Sequence, residues 1–214
     1  MPTPEQTRTW MPQGDPVHDY DHVMRVYHMA EHIGQIEGAD LEIVRAAALL
    51  HDAIGSAPGT DTKEQRHNHH GSSAEFAAHI LQMEGWPEDR IQAVQHCIRA
   101  HRFRFTTDRP DTLEAKVLYD ADKLDVLGAL GVARTIAYAA LAGQPFYTKP
   151  SQQFLDTGKE IPGEAHSSYH EYLYKLIKVK DSLNTATARK IAEYRHDFLV
   201  AFYTELSEEA AGNR

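Results

Sequence analysis

Apolar residues along this chain recur at intervals of three and four, and no stretch alternates convincingly with a period of two. That periodicity builds amphipathic helices and gives a half-buried strand no apolar face. Residues 1–14, rich in Pro, Thr and Gln, read as an irregular lead-in. Asp15-Pro16 reads as an N-cap followed by a first-turn proline. Val23, Val26, Tyr27, Ala30 and Ile33 then mark a helix from Val17 to about Gly38. Asp40 caps a second helix to Ile54, with a stripe of Ile43, Ala47, Leu50 and Ile54 and with Gly55 as its stop. After a polar loop over 55–70, Ser72 with Glu75 forms a capping-box pattern for a third helix, about 72–84. Pro87 begins a fourth, to about His101, and Asp111 with Glu114 opens a long one through Leu118, Asp122, Val126 and Leu130 to about Ala142. A loop punctuated by Gly and Pro (143–167) leads to helices near 168–182 and 184–208, the second capped by Asn184. The expected fold is all-α, an orthogonal helical bundle of about six to seven helices. It forms a single domain over 15–214, with the C-terminal helices of 168–208 packed on it.

The composition narrows the partners. A net charge of −9 provides none of the general positive field of a duplex-binding protein. It leaves room for a local basic pocket around one small phosphate compound. The single cysteine, Cys97, excludes an intrachain disulfide. The longest apolar run, near Ala46–Leu50, is far too short to span a bilayer, and residues 1–15 lack the apolar segment of a secretory signal. A cytoplasmic enzyme without membrane or nucleic-acid duplex partners is expected, with its oligomeric state left open.

Several charged residues fall on helix faces that the apolar stripes assign to the interior. His51 follows Ala47 by four residues and Ile43 by eight. Asp52 comes next, near a helix C-terminus, where an unpaired carboxylate suffers both desolvation and the negative end of the helix dipole. A cation relieves both. Asp122 lies four residues after Leu118 and four before Val126, with Asp125 on a nearby face and Lys123 about 100° around the helix. His22 sits four residues before Val26, at the edge of its stripe. Two imidazoles and two carboxylates from three helices make a mixed nitrogen and oxygen site, suited to Mn²⁺, Fe²⁺, Co²⁺, Ni²⁺ or Zn²⁺ and less to Ca²⁺. A His-Asp dipeptide alone carries little weight, because a buried pair of this kind is more often a structural hydrogen bond; the weight lies in the whole set.

The order His22, then His51-Asp52, then Asp122 resembles the HD superfamily of metal-dependent phosphohydrolases. His18-Asp19-Tyr20-Asp21-His22 is similar to that family's first helix, Ala47-Ala48-Leu49-Leu50-His51-Asp52 to its signature helix, and Asp120-Ala121-Asp122-Lys123-Leu124-Asp125 to its final motif. Gly128-Ala129-Leu130-Gly131 and Leu183-Asn184-Thr185…Arg195-His196 extend the likeness to a small bacterial subgroup of similar length. That subgroup includes manganese-preferring nucleoside triphosphate pyrophosphohydrolases.

The resemblance implies His22, His51, Asp52 and Asp122 as metal ligands. The ion is expected to be Mn²⁺, with Mg²⁺, Ni²⁺, Co²⁺, Fe²⁺ or Zn²⁺ as alternatives, and a bound water would do the hydrolysis. Asp52, Lys123 and Asp125 are the expected catalytic residues. Lys123 and, more weakly, Arg25 are the expected phosphate contacts. His69, ahead of Ser73-Ala74, and His101, in Ile98-Arg99-Ala100-His101, resemble positions that hold a second metal in some HD proteins; the alternative is a role lining the substrate pocket. The expected partner is a small phosphate compound, most naturally a nucleotide. Two other readings stay open: a non-catalytic nucleotide sensor, and a dinuclear-metal oxygenase on the HD fold.

Overall fold

The computed structural model describes residues 1–10, 19–54, 63–102 and 108–214, and from 63 to 69 it describes the backbone alone. Among these residues the regular structure is helical throughout. The chain forms two compact units: Met1–Asp125 with Leu183–Arg189, and Val126–Ser182 with Lys190–Arg214.

In the first unit, the segment expected to be irregular contains α1 (Pro4–Trp10). Thr3 and Gln6 form a reciprocal capping box there, with Gln6 N donating to Thr3 Oγ1 (3.3 Å) and Thr3 N to Gln6 Oε1 (2.8 Å). Helix α2 (Tyr20–Glu37) starts later than expected. Its cap is Asp19, whose carboxylate accepts His22 N at 2.9 Å; Asp15-Pro16 lies outside the described residues. Gly38 closes α2 in the left-handed region (φ 80°). Asp40 caps α3 (Leu41–Leu50) as expected, but the helix ends at Leu50, leaving His51 and Asp52 in the turn that follows.

Helix α4 (Lys63–Met83) begins inside the segment expected to be a polar loop. Lys, Glu, Gln and Arg are good helix formers, so a polar run need not be a loop. Ser72 with Glu75 is therefore internal to α4. Its neighbour Ser73 is fully buried, and its hydroxyl accepts Ile54 N at 3.2 Å, pinning the turn after His51-Asp52. Pro87 precedes α5 (Glu88–Ala100).

The long helix expected from Asp111 is two helices. Thr112, not Asp111, caps α6 (Leu113–Leu124), accepting Ala115 N at 3.2 Å. Leu127 is extended and Gly128 has φ 69°, so the helix cannot run on although its apolar stripe does. Helix α3 packs against α2, α4, α5 and α6. Its residues Val44 to Leu50, Arg45 apart, are fully buried, which suits a helix apolar around most of its circumference. The run of three alanines leaves room for that many neighbours.

The second unit holds α7 (Gly128–Leu141), α8 (Gln152–Thr157), a helical run over 168–182 (α9), and most of the final helix, α10 (Ala186–Ala210). Helix α8 lies in the expected loop, capped by Ser151 Oγ accepting Phe154 N at 3.1 Å. The run α9 includes a π-helical turn, Tyr172–Leu176, and Tyr172 stacks on the buried Tyr203 at 4.4 Å. Thr185 rather than Asn184 caps α10, its Oγ1 accepting Ala188 N at 3.2 Å. No single helix among the described residues is long and apolar enough to cross a membrane.

Candidate metal centre

The ends of four helices of the first unit meet at one place. His22 lies in the first turn of α2, where Asp19 fixes its backbone. His51 and Asp52 follow the last turn of α3, His101 follows the last turn of α5, and Asp122 sits in the last turn of α6. Three helix C-termini therefore direct the negative ends of their dipoles toward the same volume, an arrangement that favours a cation.

His22, His51 and Asp52 are buried and can each offer a donor atom within 4.8 Å of the others. His22 Nε2 lies 3.7 Å from Asp52 Oδ2 and 3.6 Å from Asp122 Oδ1. His51 Nε2 lies 3.5 Å from Asp52 Oδ2, and His101 Nε2 lies 3.7 Å from Asp52 Oδ1.

The outer nitrogens set the tautomers. His51 Nδ1 donates to Ala48 O at 2.8 Å, and His101 Nδ1 donates to Ile98 O. His22 Nδ1 donates to Asp125 Oδ2 at 2.8 Å. A carbonyl or carboxylate can only accept, so each ring is protonated at Nδ1 and presents the Nε2 lone pair inward, the form in which imidazole binds a metal. His51 Nε2 is buried and has no hydrogen-bond partner among the described residues. A buried polar atom of this kind is costly without a partner, and a cation at the centre supplies one. The donor set fits a divalent transition-metal ion.

Burial pushes the Asp122 carboxyl up, but Lys123 and the imidazoles of His101, His22 and His51 together hold it well below the ordinary carboxylate range. Lys123 Nζ lies 2.6 Å from Asp122 Oδ2 and over the ring of Tyr119. Burial, opposed by Asp52, lowers the His101 imidazole to about 3, so it stays neutral.

Asp125 lies behind His22. Its carboxylate accepts His22 Nδ1 on one side, and Arg25 Nε (2.8 Å) and Nη2 (3.1 Å) on the other. Arg25, expected as a phosphate contact, is engaged by this carboxylate. The Asp125–Arg25 tie was not expected; its only sequence trace is that an interior carboxylate needs a positive neighbour. His69 belongs to the backbone of α4 but its side chain lies outside the described residues. His101 reaches the centre.

Imidazoles and carboxylates converging on helix termini define an all-helical protein with a candidate metal centre. Residues 19–127 match the HD domain family, and the chain belongs to that family. It is 34% identical over 215 residues to the Bacillus subtilis protein YpgQ, covering 97% of this chain and 94% of YpgQ. The crystal structure of Bacillus subtilis YpgQ in complex with ADP superposes with a TM-score of 0.71 at 32% identity, covering 97% of each chain. An HD-superfamily hydrolase from Bacillus thuringiensis is similar at a TM-score of 0.68 and 27% identity, covering 97% of this chain and 96% of that one.

Proposed function

We propose that this protein is a metal-dependent phosphohydrolase acting on nucleotides, most specifically a nucleoside triphosphate pyrophosphohydrolase. The observation that carries this reading is the buried His22, His51, Asp52 cluster, presented by the first turn of α2 and the C-terminus of α3, with both imidazoles set to the ligand tautomer. The ADP bound by the related YpgQ supports a nucleotide as substrate class.

His22, His51, Asp52 and Asp122 would hold the ion, with Mn²⁺ proposed first. When bound, the ion supplies a water of lowered pKa and neutralises charge on the phosphoryl group. Asp52, facing three imidazoles, would orient that water. Lys123 supplies the positive charge beside Asp122 that a phosphate oxygen needs, and the low dielectric of the site strengthens it. Asp125, held by Arg25, orients His22 and raises the basicity of its Nε2. Arg25 thus acts through Asp125. His101 is either a contact for the substrate phosphate or a ligand for a second ion.

The test is to chelate the protein, restore Mn²⁺, Mg²⁺, Ni²⁺, Co²⁺ or Zn²⁺ singly, and follow phosphate and pyrophosphate release from nucleotides. Metal-dependent pyrophosphate release from triphosphates is expected. Orthophosphate release from monophosphates would keep the class and change the substrate. Nucleotide binding without any product would sink the enzymatic reading and favour a sensor.

A further inference from the structure

Asp120 lies two residues before Asp122 and is fully buried. About 200° of helix rotation separates the two side chains, so Asp120 faces away from the centre. Its Oδ1 accepts Asn184 N (2.9 Å) and Asn184 Nδ2 (3.0 Å). Its Oδ2 accepts Thr185 N (2.7 Å) and Thr185 Oγ1 (2.8 Å). Two residues on, Thr187 N donates to Glu37 Oε1 at 2.8 Å. One turn of chain, 184–187, is therefore bonded both to α6, which carries Asp122 and Lys123, and to α2, which carries His22.

Space filling does not account for this arrangement. Burying a carboxylate carries a desolvation cost that an apolar residue of the same volume avoids. What the carboxylate adds is direction. Its donors lie on one side of α6, and Asp125 makes a tie to α2 from another side, so the last turn of α6 is held against rotation about its own axis. A side-chain atom about 5–6 Å from a helix axis moves about 1 Å for each 10° of rotation. A displacement of about 1 Å at a reacting centre is worth about 10²-fold in rate.

We propose that Asp120 is a positioning residue for the metal centre: its bonds to Asn184 and Thr185 hold the last turn of α6 in the rotation that presents Asp122 and Lys123. Ion affinity is thereby coupled to the first turn of α10. This inference rests on the centre binding a metal ion.

The test uses the full chain, stripped of metal, with Mn²⁺ affinity measured by titration calorimetry and Tm measured without metal. Thr185→Val keeps the shape and removes both the hydroxyl's donation to Asp120 and its cap on Ala188 N; Thr185→Ser returns both. Thr185→Val is expected to weaken Mn²⁺ binding by about 10–100-fold and to lower kcat more than it changes KM, and Thr185→Ser to restore both. A valine variant of lower Tm and unchanged Mn²⁺ affinity would overturn the proposal, because the contact would then be structural only. So would a serine variant as weak as the valine one. Should Thr185→Val fail to fold, Asn184→Ala, which removes only the Nδ2 donor, carries the same expectation. Wild-type protein that binds no Mn²⁺ overturns the metal reading itself, and is distinct from tight binding that the variants leave untouched.

Discussion

At the scale of single residues, the centre is a set of charges and lone pairs that a cation brings into balance. Binding of an ion only to the folded state stabilises it by about 2.7 kcal/mol at a hundredfold excess over Kd. For a chain of this length that is a rise of several degrees in Tm. His51→Ala removes a buried nitrogen, Nε2, that has no hydrogen-bond partner among the described residues, and it is expected to abolish the Mn²⁺-dependent rise measured by differential scanning fluorimetry. A full rise in that variant would mean that the ion sits elsewhere. Asp125→Asn preserves shape but gives His22 a neutral partner and leaves Arg25 without its carboxylate. Mn²⁺ affinity is expected to fall about 10–100-fold, and equal affinity in wild type and variant would remove Asp125 from the account.

At the scale of elements, helix ends decide what the centre receives. Asp19 and Thr112 start the helices that carry His22 and Asp122, Asp40 starts the helix that leads into His51-Asp52, and each makes a side-chain cap hydrogen bond. The stop after α6 matters as much as the starts. An α-helix continuing through Val126 would satisfy the apolar stripe, yet the chain turns into α7 with Gly131 hard against its own preceding backbone. A Cβ at Gly131 would lie 2.2 Å from Val126 O. Gly131→Ala is expected to cost about 1–3 kcal/mol, read as a lower urea midpoint with an unchanged m value. An unshifted midpoint would show that α7 starts differently.

At the scale of the molecule, the second unit carries its own polar clasp. Glu164 accepts Ser151 N (2.6 Å), Ser151 Oγ (2.7 Å), Ile161 N (2.9 Å) and His170 Nε2 (3.1 Å), tying the start of α8 to α9. Desolvation pushes this carboxyl up, but these donors together bring it from an ordinary 4.5 to about 2. A folded value below the unfolded one means that the contribution is complete above about pH 4.5 and is lost as pH falls toward 2. Glu164→Gln should therefore lower Tm at neutral pH and flatten the fall in Tm across that acid window. Parallel wild-type and variant curves would show that the charge does not hold the clasp.

The all-helical class, the order of the main helices and the residues able to hold an ion were legible in the sequence, because period, capping chemistry and the misplacement of charge on apolar faces are local properties. The His22, His51, Asp52 and Asp122 spacing needed no structure to be noticed. Where α6 stops, that the segment from Lys63 is helix, so that Ser72 lies inside it rather than at its start, and that Ser73 pins the turn at Ile54 were settled by contacts between distant segments. The same holds for the second layer of the centre. Arg25 and Asp125 are a hundred residues apart, as their hydrogen bonds record, and Asp120 and Thr185 sixty-five. Periodicity can say that a buried carboxylate needs a partner, but a pairing across such separations depends on how the helices pack. The sequence alone therefore determined which imidazoles and carboxylates fall on interior faces, and the tertiary structure decided which of them converge and which side chains hold them in place.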